Sequence, residues 1–174
     1  MAVCFVCVYL KVSLKGGLEM ILQLRQLFDI EGQALDIDES ISVSELGENV
    51  PYHTFAAPVS VKGAIKNRAG IVTLKFTVTA LLEHECDRCL EAFERAYSFD
   101  FSHTLARTLS NGDDDEFDDY VVCPDNTLDL SELALSDLML SLPSKILCKE
   151  DCLGLCMKCG KNLNDGECCC DNED

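Results

Sequence analysis

Residues 70–105 read GIVTLKFTVTALLEHECDRCLEAFERAYSFDFSHTL, and this stretch decides the architecture. Val72, Leu74, Phe76, Val78, Ala80 and Leu82 recur at every second position between mostly polar or threonine residues. A period of two places them on one face of a half-buried β-strand. Phe93, Arg95, Tyr97, Phe99, Phe101, His103 and Leu105 hold one parity of a second strand. Between the two lies Cys86-Asp87-Arg88-Cys89. A C-x-x-C where one strand ends and the next begins predicts a metal knuckle in the turn of a long hairpin.

On the N-terminal side, residues 57–66 form a further strand that returns through Lys66-Asn67-Arg68-Ala69-Gly70, with Gly70 suited to a left-handed turn position. Residues 33–55 hold short segments, Leu35/Ile37 and Ile41/Val43, punctuated by Gly47 and Pro51. From Met20, Leu22 and Leu24 alternate as in a strand, whereas Leu24, Leu27 and Phe28 fit a helical turn. Residues 1–19 are expected to lie outside the fold. Lys15-Gly16-Gly17 can be encoded as AAA-GGA-GGN, a bacterial ribosome-binding sequence a short distance ahead of Met20, so translation is expected to begin at Met20. On that reading Cys4-Phe5-Val6-Cys7 belongs to an over-extended start; the rival is a genuine first strand from Val3 to Leu14.

On the C-terminal side, residues 113–119 place six acids in seven positions, which predicts a solvated mobile loop because like charges repel one another in a packed element. The ordered D-x-D-x-D-G spacing of a calcium loop is missing. Tyr120 to Val122 fit a short strand. Asp129 and Glu132 then match a helix N-cap, Leu130, Leu133, Ala134, Leu138 and Leu142 follow a helical period, and Pro143 closes it. The expected fold is α+β: an antiparallel, barrel-like sheet with a packed helix over residues 20–147. A cysteine-rich zinc module over 148–174 is tied to the hairpin at 86–89.

A chain of 174 residues suits one domain and a small appendage. Its formal charge of −17 repels nucleic-acid phosphates and anionic membranes, and makes basic proteins or cations the natural partners. No run of basic or aromatic residues marks a binding surface. Residues 2–10 are apolar but lack a basic flank and a cleavage site, and no membrane-length apolar run exists. The expected location is therefore cytoplasmic, where clustered C-x-x-C pairs favour zinc over disulfides.

Seven of the twelve cysteines fall between Cys148 and Cys170. Zinc takes four soft ligands in a tetrahedron, and a C-x-x-C turn offers two thiolates from one tight loop. Cys156-Met157-Lys158-Cys159-Gly160 is such a knuckle, and Cys168 with Cys170 supplies its second pair. Cys169 competes for that role, although adjacent Cys169 and Cys170 strain to face one metal. Cys148 and Cys152, spaced to share one face of a helical turn, complete the other quartet with Cys86 and Cys89. Two structural Zn2+ ions are expected, each saturated by four thiolates with no position left for water. Cys123 and Cys169 remain as ordinary thiols. His53, His84 and His103 are scattered, so no Cys-His dyad can be drawn, and no enzyme is expected. The competing class is a zinc- or thiol-redox-responsive regulatory protein, in which mild oxidant would expel the metal.

Cys86-Asp87-Arg88-Cys89-Leu90-Glu91-Ala92-Phe93, Leu142-Pro143, and Cys152-Leu153-Gly154-Leu155-Cys156-x-x-Cys159-Gly160-Lys161-Asn162-Leu163-Asn164 together resemble the bacterial YceD family, the large ribosomal RNA subunit accumulation proteins. The resemblance runs from Met20 to the C-terminus. It implies that the quartet of Cys86, Cys89, Cys148 and Cys152 is the common one, since some members end early and carry histidines where Cys148 and Cys152 stand. It also implies a non-enzymatic role in accumulating or processing large-subunit ribosomal RNA and in ribosome assembly. Given the charge, that role is expected to run through a large-subunit ribosomal protein or pre-ribosomal particle, with no tight grip on naked RNA and none on membrane.

Overall fold

The structure, a computed structural model, describes residues 20–42, 54–108, 120–168 and 170. The expectations for residues 1–19, Val43, Gly47, Pro51, His53, the acidic run at 113–119 and Cys169 lie outside them. The described elements are β1 (Ile21–Gln23), α1 (Arg25–Asp29), β2 (Ala34–Ile41), β3 (Thr54–Phe55), β4 (Val59–Arg68), β5 (Ile71–Glu85), β6 (Ala92–Ala106), β7 (Tyr120–Val122), β8 (Thr127–Asp129) and α2 (Leu130–Ser141). Both readings of the first segment hold: a three-residue strand leads directly into a single helical turn.

The main sheet runs β2-β4-β5-β6-β7, and β3 pairs with β5 beyond the end of β4. It is antiparallel except at β7, which joins β6 in parallel at Thr104 to Ala106. β1 and β8 form a separate antiparallel pair. The sheet curls into a half barrel with one long helix against it, so the fold is α+β. Val72, Leu74, Phe76, Val78, Ala80 and Leu82 all lie inside, as their period requires. Their β4 neighbours Val59, Val61 and Ile65 are fully buried beside them.

One inward position carries no side chain. A Cβ on Gly63 would stand 2.2 Å from the Lys75 carbonyl oxygen and 2.6 Å from the Phe76 Cα, so the strands can approach only with glycine there. The β4–β5 turn is tighter than the sequence suggests: Ala69 (φ 52°) and Gly70 (φ 82°) make it alone, both left-handed. Asn67 is therefore a strand residue rather than a turn residue, 2% exposed. Its amide donates to the Leu27 carbonyl at 2.7 Å and accepts from the Gly70 N–H at 3.1 Å. That one side chain latches α1 to the hairpin.

Asp129 caps α2 by accepting from the Glu132 N–H at 3.1 Å, as the spacing predicts. Leu130, Ala134, Leu135 and Leu138 then turn into the core, and the helix ends at Ser141 ahead of Pro143. His103 on β6 meets Asp137 on the helix at 2.7 Å and fixes helix against sheet.

Replacing Asn67 by Leu orphans the Leu27 carbonyl and the Gly70 N–H and is expected to cost about 1–3 kcal/mol. Gly63→Ala should cost roughly 2–3 kcal/mol through strand displacement. Both are checked by a fall in the urea midpoint at unchanged slope.

Candidate metal centres

Each C-x-x-C sits in the same turn. At the first, the Cys86 carbonyl accepts from the Leu90 N–H and the Cys86 N–H donates to the Glu91 carbonyl, both at 2.9 Å. At the second, the Cys156 carbonyl accepts from Gly160 N–H at 2.9 Å and the Cys156 N–H donates to the Lys161 carbonyl at 2.8 Å. The residue after the second cysteine is left-handed in both, Leu90 at φ 59° and Gly160 at φ 74°. This turn aims both thiols of a knuckle to one side.

The first knuckle joins β5 to β6, and the chain from Ile146 to Leu155 closes over it. The Asp87 N–H donates to the Ile146 carbonyl at 2.9 Å, and the Asp87 carboxylate accepts from the Ile146 N–H at 2.6 Å. The Arg88 guanidinium donates to the Cys152 carbonyl at 2.7 Å, and Arg95 donates to the Leu147 carbonyl at 2.6 Å. Gly154 lies so close that a Cβ would stand 3.0 Å from the Arg88 carbonyl oxygen, and its φ is +77°. Cys148 and Cys152 thus reach the knuckle from a hydrogen-bonded turn, in which the Cys152 N–H meets the Lys149 carbonyl at 3.2 Å, and not from the helical turn read in the sequence.

The result is two quartets. Cys86, Cys89, Cys148 and Cys152 have all four sulfurs within 4.8 Å of one another, as do Cys156, Cys159, Cys168 and Cys170. Cys86–Cys152 and Cys89–Cys148 are 3.7 and 3.6 Å apart. A disulfide needs about 2.05 Å, whereas ligands at about 2.3 Å on a tetrahedral ion lie roughly 3.8 Å from each other. The donor sets fit a four-coordinate soft metal ion. The first quartet is packed by Phe93, Leu147 and Leu155, with Cys86, Cys89 and Cys152 buried. The second is more open, with Cys159 exposed.

Electrostatics point the same way. Burial pushes the Cys86 thiol up, but backbone N–H groups at Cys148, Arg88 and Cys89 prevail and bring it down to about 6. At Cys89 the Glu91 backbone pulls down, yet desolvation and the neighbouring thiols carry it up to about 12. Cys148 is raised chiefly by burial. In the second quartet backbone N–H groups of Cys159 and Lys158 lower Cys156 to about 6, while proton sharing with Cys159 raises Cys170 to about 12. Four adjacent thiols cannot all ionise unaided, and a divalent cation would supply the missing countercharge.

Asn162 and Asn164 carry roles that spacing alone did not reveal. The Asn164 amide donates to the Cys152 sulfur at 3.3 Å and to Asn162 at 2.8 Å, and its carbonyl oxygen accepts from the Leu153 N–H at 2.9 Å. It ties the loop after the second knuckle to a ligand of the first. The signal was the motif G-x-N-L-N itself, whose two asparagines had no stated partner. Of the remaining cysteines, Cys123 is buried, its thiol raised to about 11 by desolvation, and it belongs to neither quartet. His84 packs on Phe93 and, edge to face, on Tyr97, outside the cysteine quartet.

Fold and site together define an α+β half barrel with a thiolate-rich arm closed on its longest hairpin. The chain belongs to the YceD family: the family profile, described as large ribosomal RNA subunit accumulation protein YceD, matches residues 74–174. That description supports a general ribosome-related role. Among known proteins it is similar to YlbN of Bacillus subtilis (strain 168), described as uncharacterized, with 26% identity over 126 residues, 72% of each chain. It is also similar to ML1660 of Mycobacterium leprae (strain TN), likewise described as uncharacterized. There the identity is 27% over 130 residues, 70% of this chain and 57% of that one, so less than two thirds of the mycobacterial protein is spanned. No solved structure matches the chain. No helix among the described residues is long and apolar enough to cross a membrane.

Cobalt(II) added to the reduced chain is expected to fill two thiolate sites, read by ligand-to-metal absorption, and Cys89→Ser to remove about half of that signal. Asn164→Ala should weaken the first site by about tenfold in chelator competition, because it removes an outer hydrogen bond to a ligand. Protons compete for the thiolates, so metal should leave as the pH falls from about 8 to about 5.

Proposed function

We propose that this protein is a non-enzymatic cytoplasmic factor that promotes accumulation of large-subunit ribosomal RNA during ribosome assembly, acting through protein contacts. The observation that carries the proposal is the family match over residues 74–174, a span that contains both cysteine quartets. Each quartet is assigned a structural Zn2+. Four thiolates saturate a tetrahedral zinc and leave no position for water, so the metal would build a surface rather than activate a nucleophile. With a charge of −17 the protein suits a basic large-subunit ribosomal protein or a protein-rich assembly particle better than bare RNA.

The exposure of Cys159 favours a second reading, in which oxidation at the outer quartet releases metal and regulates the protein. Two zinc ions that survive mild oxidant would support the structural role. Zinc loss with disulfide formation would support regulation.

Depletion of the protein from its host is expected to lower the large-subunit peak in a sucrose gradient, with precursor particles accumulating. An unchanged profile would remove the ribosomal reading.

A further inference from the structure

The outer face of the half barrel carries a feature absent from any linear stretch. β4 and β5 pair Ala64 with Lys75, Lys66 with Thr73 and Arg68 with Ile71. Because Ile65, Asn67, Val72 and Leu74 point into the core, all six of these residues face outward. Ala64 and Thr73 are short, so they leave an open depression of about 400 Å³, lined by these two residues with Lys66, Arg68 and Lys75. The three cations are exposed, and among the described residues none has an ion-pair partner, in contrast to Lys62, which meets Asp38 at 3.2 Å. Neighbouring strands add hydroxyls: Ser102 stands opposite Lys75, and Thr104 opposite Thr73. The carboxylate closest in register is Asp36, opposite Ala64 on β2.

Only 14 of the residues are Lys or Arg against 31 acids, so three cations round one hollow, with no ion-pair partner among the described residues, stand out against the protein's net charge. Three donors round a hollow floored by small residues suit a compact anion with several acceptor oxygens. The location, on the outward face of neighbouring strands, suits one that is part of a chain. We propose that this hollow is a phosphate-backbone contact for single-stranded RNA, an inference resting on the ribosomal reading above. The contact is weak by design of charge: three cations neutralise about three phosphates, while the acidic remainder repels the rest of the strand. Naked RNA is therefore held only at low salt. On a particle where protein contacts already hold the factor, the hollow orients it on the nearby RNA.

The test uses the metal-loaded full chain and a short fluorescent single-stranded RNA, followed by anisotropy from about 20 to about 200 mM salt. Wild-type protein should show a log–log salt slope of about −2, as expected for three phosphates on a single strand. K66Q/R68Q/K75Q should bind at least roughly tenfold more weakly at the lowest salt with a flattened slope, and each single substitution should reduce the slope by about 0.7. D36N should bind more tightly, and K62Q should behave as wild type. Unchanged metal content and urea midpoint would show that the variants keep the fold. Equal RNA binding by wild type and the triple variant would overturn the proposal. So would binding of the wild type to phosphatidylglycerol vesicles at a salt where it ignores RNA. The depletion profile separates the two readings. A reduced large-subunit peak, with no RNA bound at the hollow, removes the hollow alone. A normal profile, with salt-sensitive RNA binding that the triple variant lacks, removes the ribosomal reading alone.

Discussion

Four sulfur atoms meeting at the turn of the β5–β6 hairpin are the constraint on which the segment after Pro143 depends. Beyond Pro143 the described chain makes one short 3-10 turn at Leu163–Asp165 and a single isolated bridge between Leu155 and Asn162. Such a segment has little regular backbone bonding and a small apolar interior of Phe93, Leu147 and Leu155 around the cysteines. Its position comes from side chains that reach across: Asp87, Arg88 and Arg95 from the hairpin, and Cys148 and Cys152 from the arm. With the four thiols crowded, the cluster carries four thiolates only when something positive sits among them. Hydrogen bonding places the arm, and the thiol chemistry determines whether it stays.

Much of the sheet was legible because its signal is local. The alternation from Val72 to Leu82 and the cap at Asp129 survive in the structure unchanged. Both cysteine quartets also come together as spacing suggested, with Cys168 and Cys170 converging on Cys156 and Cys159. What was not legible depends on pairing across strands. Asn67 looks like a turn residue from its neighbours, and only the register against Val72 shows it as an inward strand position. The basic hollow escaped for the same reason: Lys66, Arg68 and Lys75 are ordinary along the chain and a cluster only once β4 and β5 are laid side by side. The role of Asn164 is likewise set by a partner twelve residues away, the Cys152 sulfur.

The knuckles share a turn but not a residue. At the inner one Leu90 occupies a left-handed position that costs any side chain about 1–2 kcal/mol, and it is 62% exposed. At the outer one Gly160 takes the same conformation freely. The inner knuckle is held by the hairpin and by the arm together, so it can support that strain. The outer one is held by its own loop, by the Asn164 contacts to Leu153 and Cys152, and by Lys161, whose ammonium donates to the Glu167 carbonyl at 2.6 Å.

The span between Cys86 and Cys152 has a consequence for how the molecule is made. The two residues are 66 positions apart, so their meeting closes a long loop, whereas β5 and β6 are joined by a short turn and pair locally. The hairpin can therefore form while the arm is still absent, and it then displays two thiols with nothing opposite them. A chain that ends between Ala106 and Leu147 lacks Cys148 and Cys152 and stays in that condition. The inner quartet is thus complete only once the chain has been made as far as Cys152.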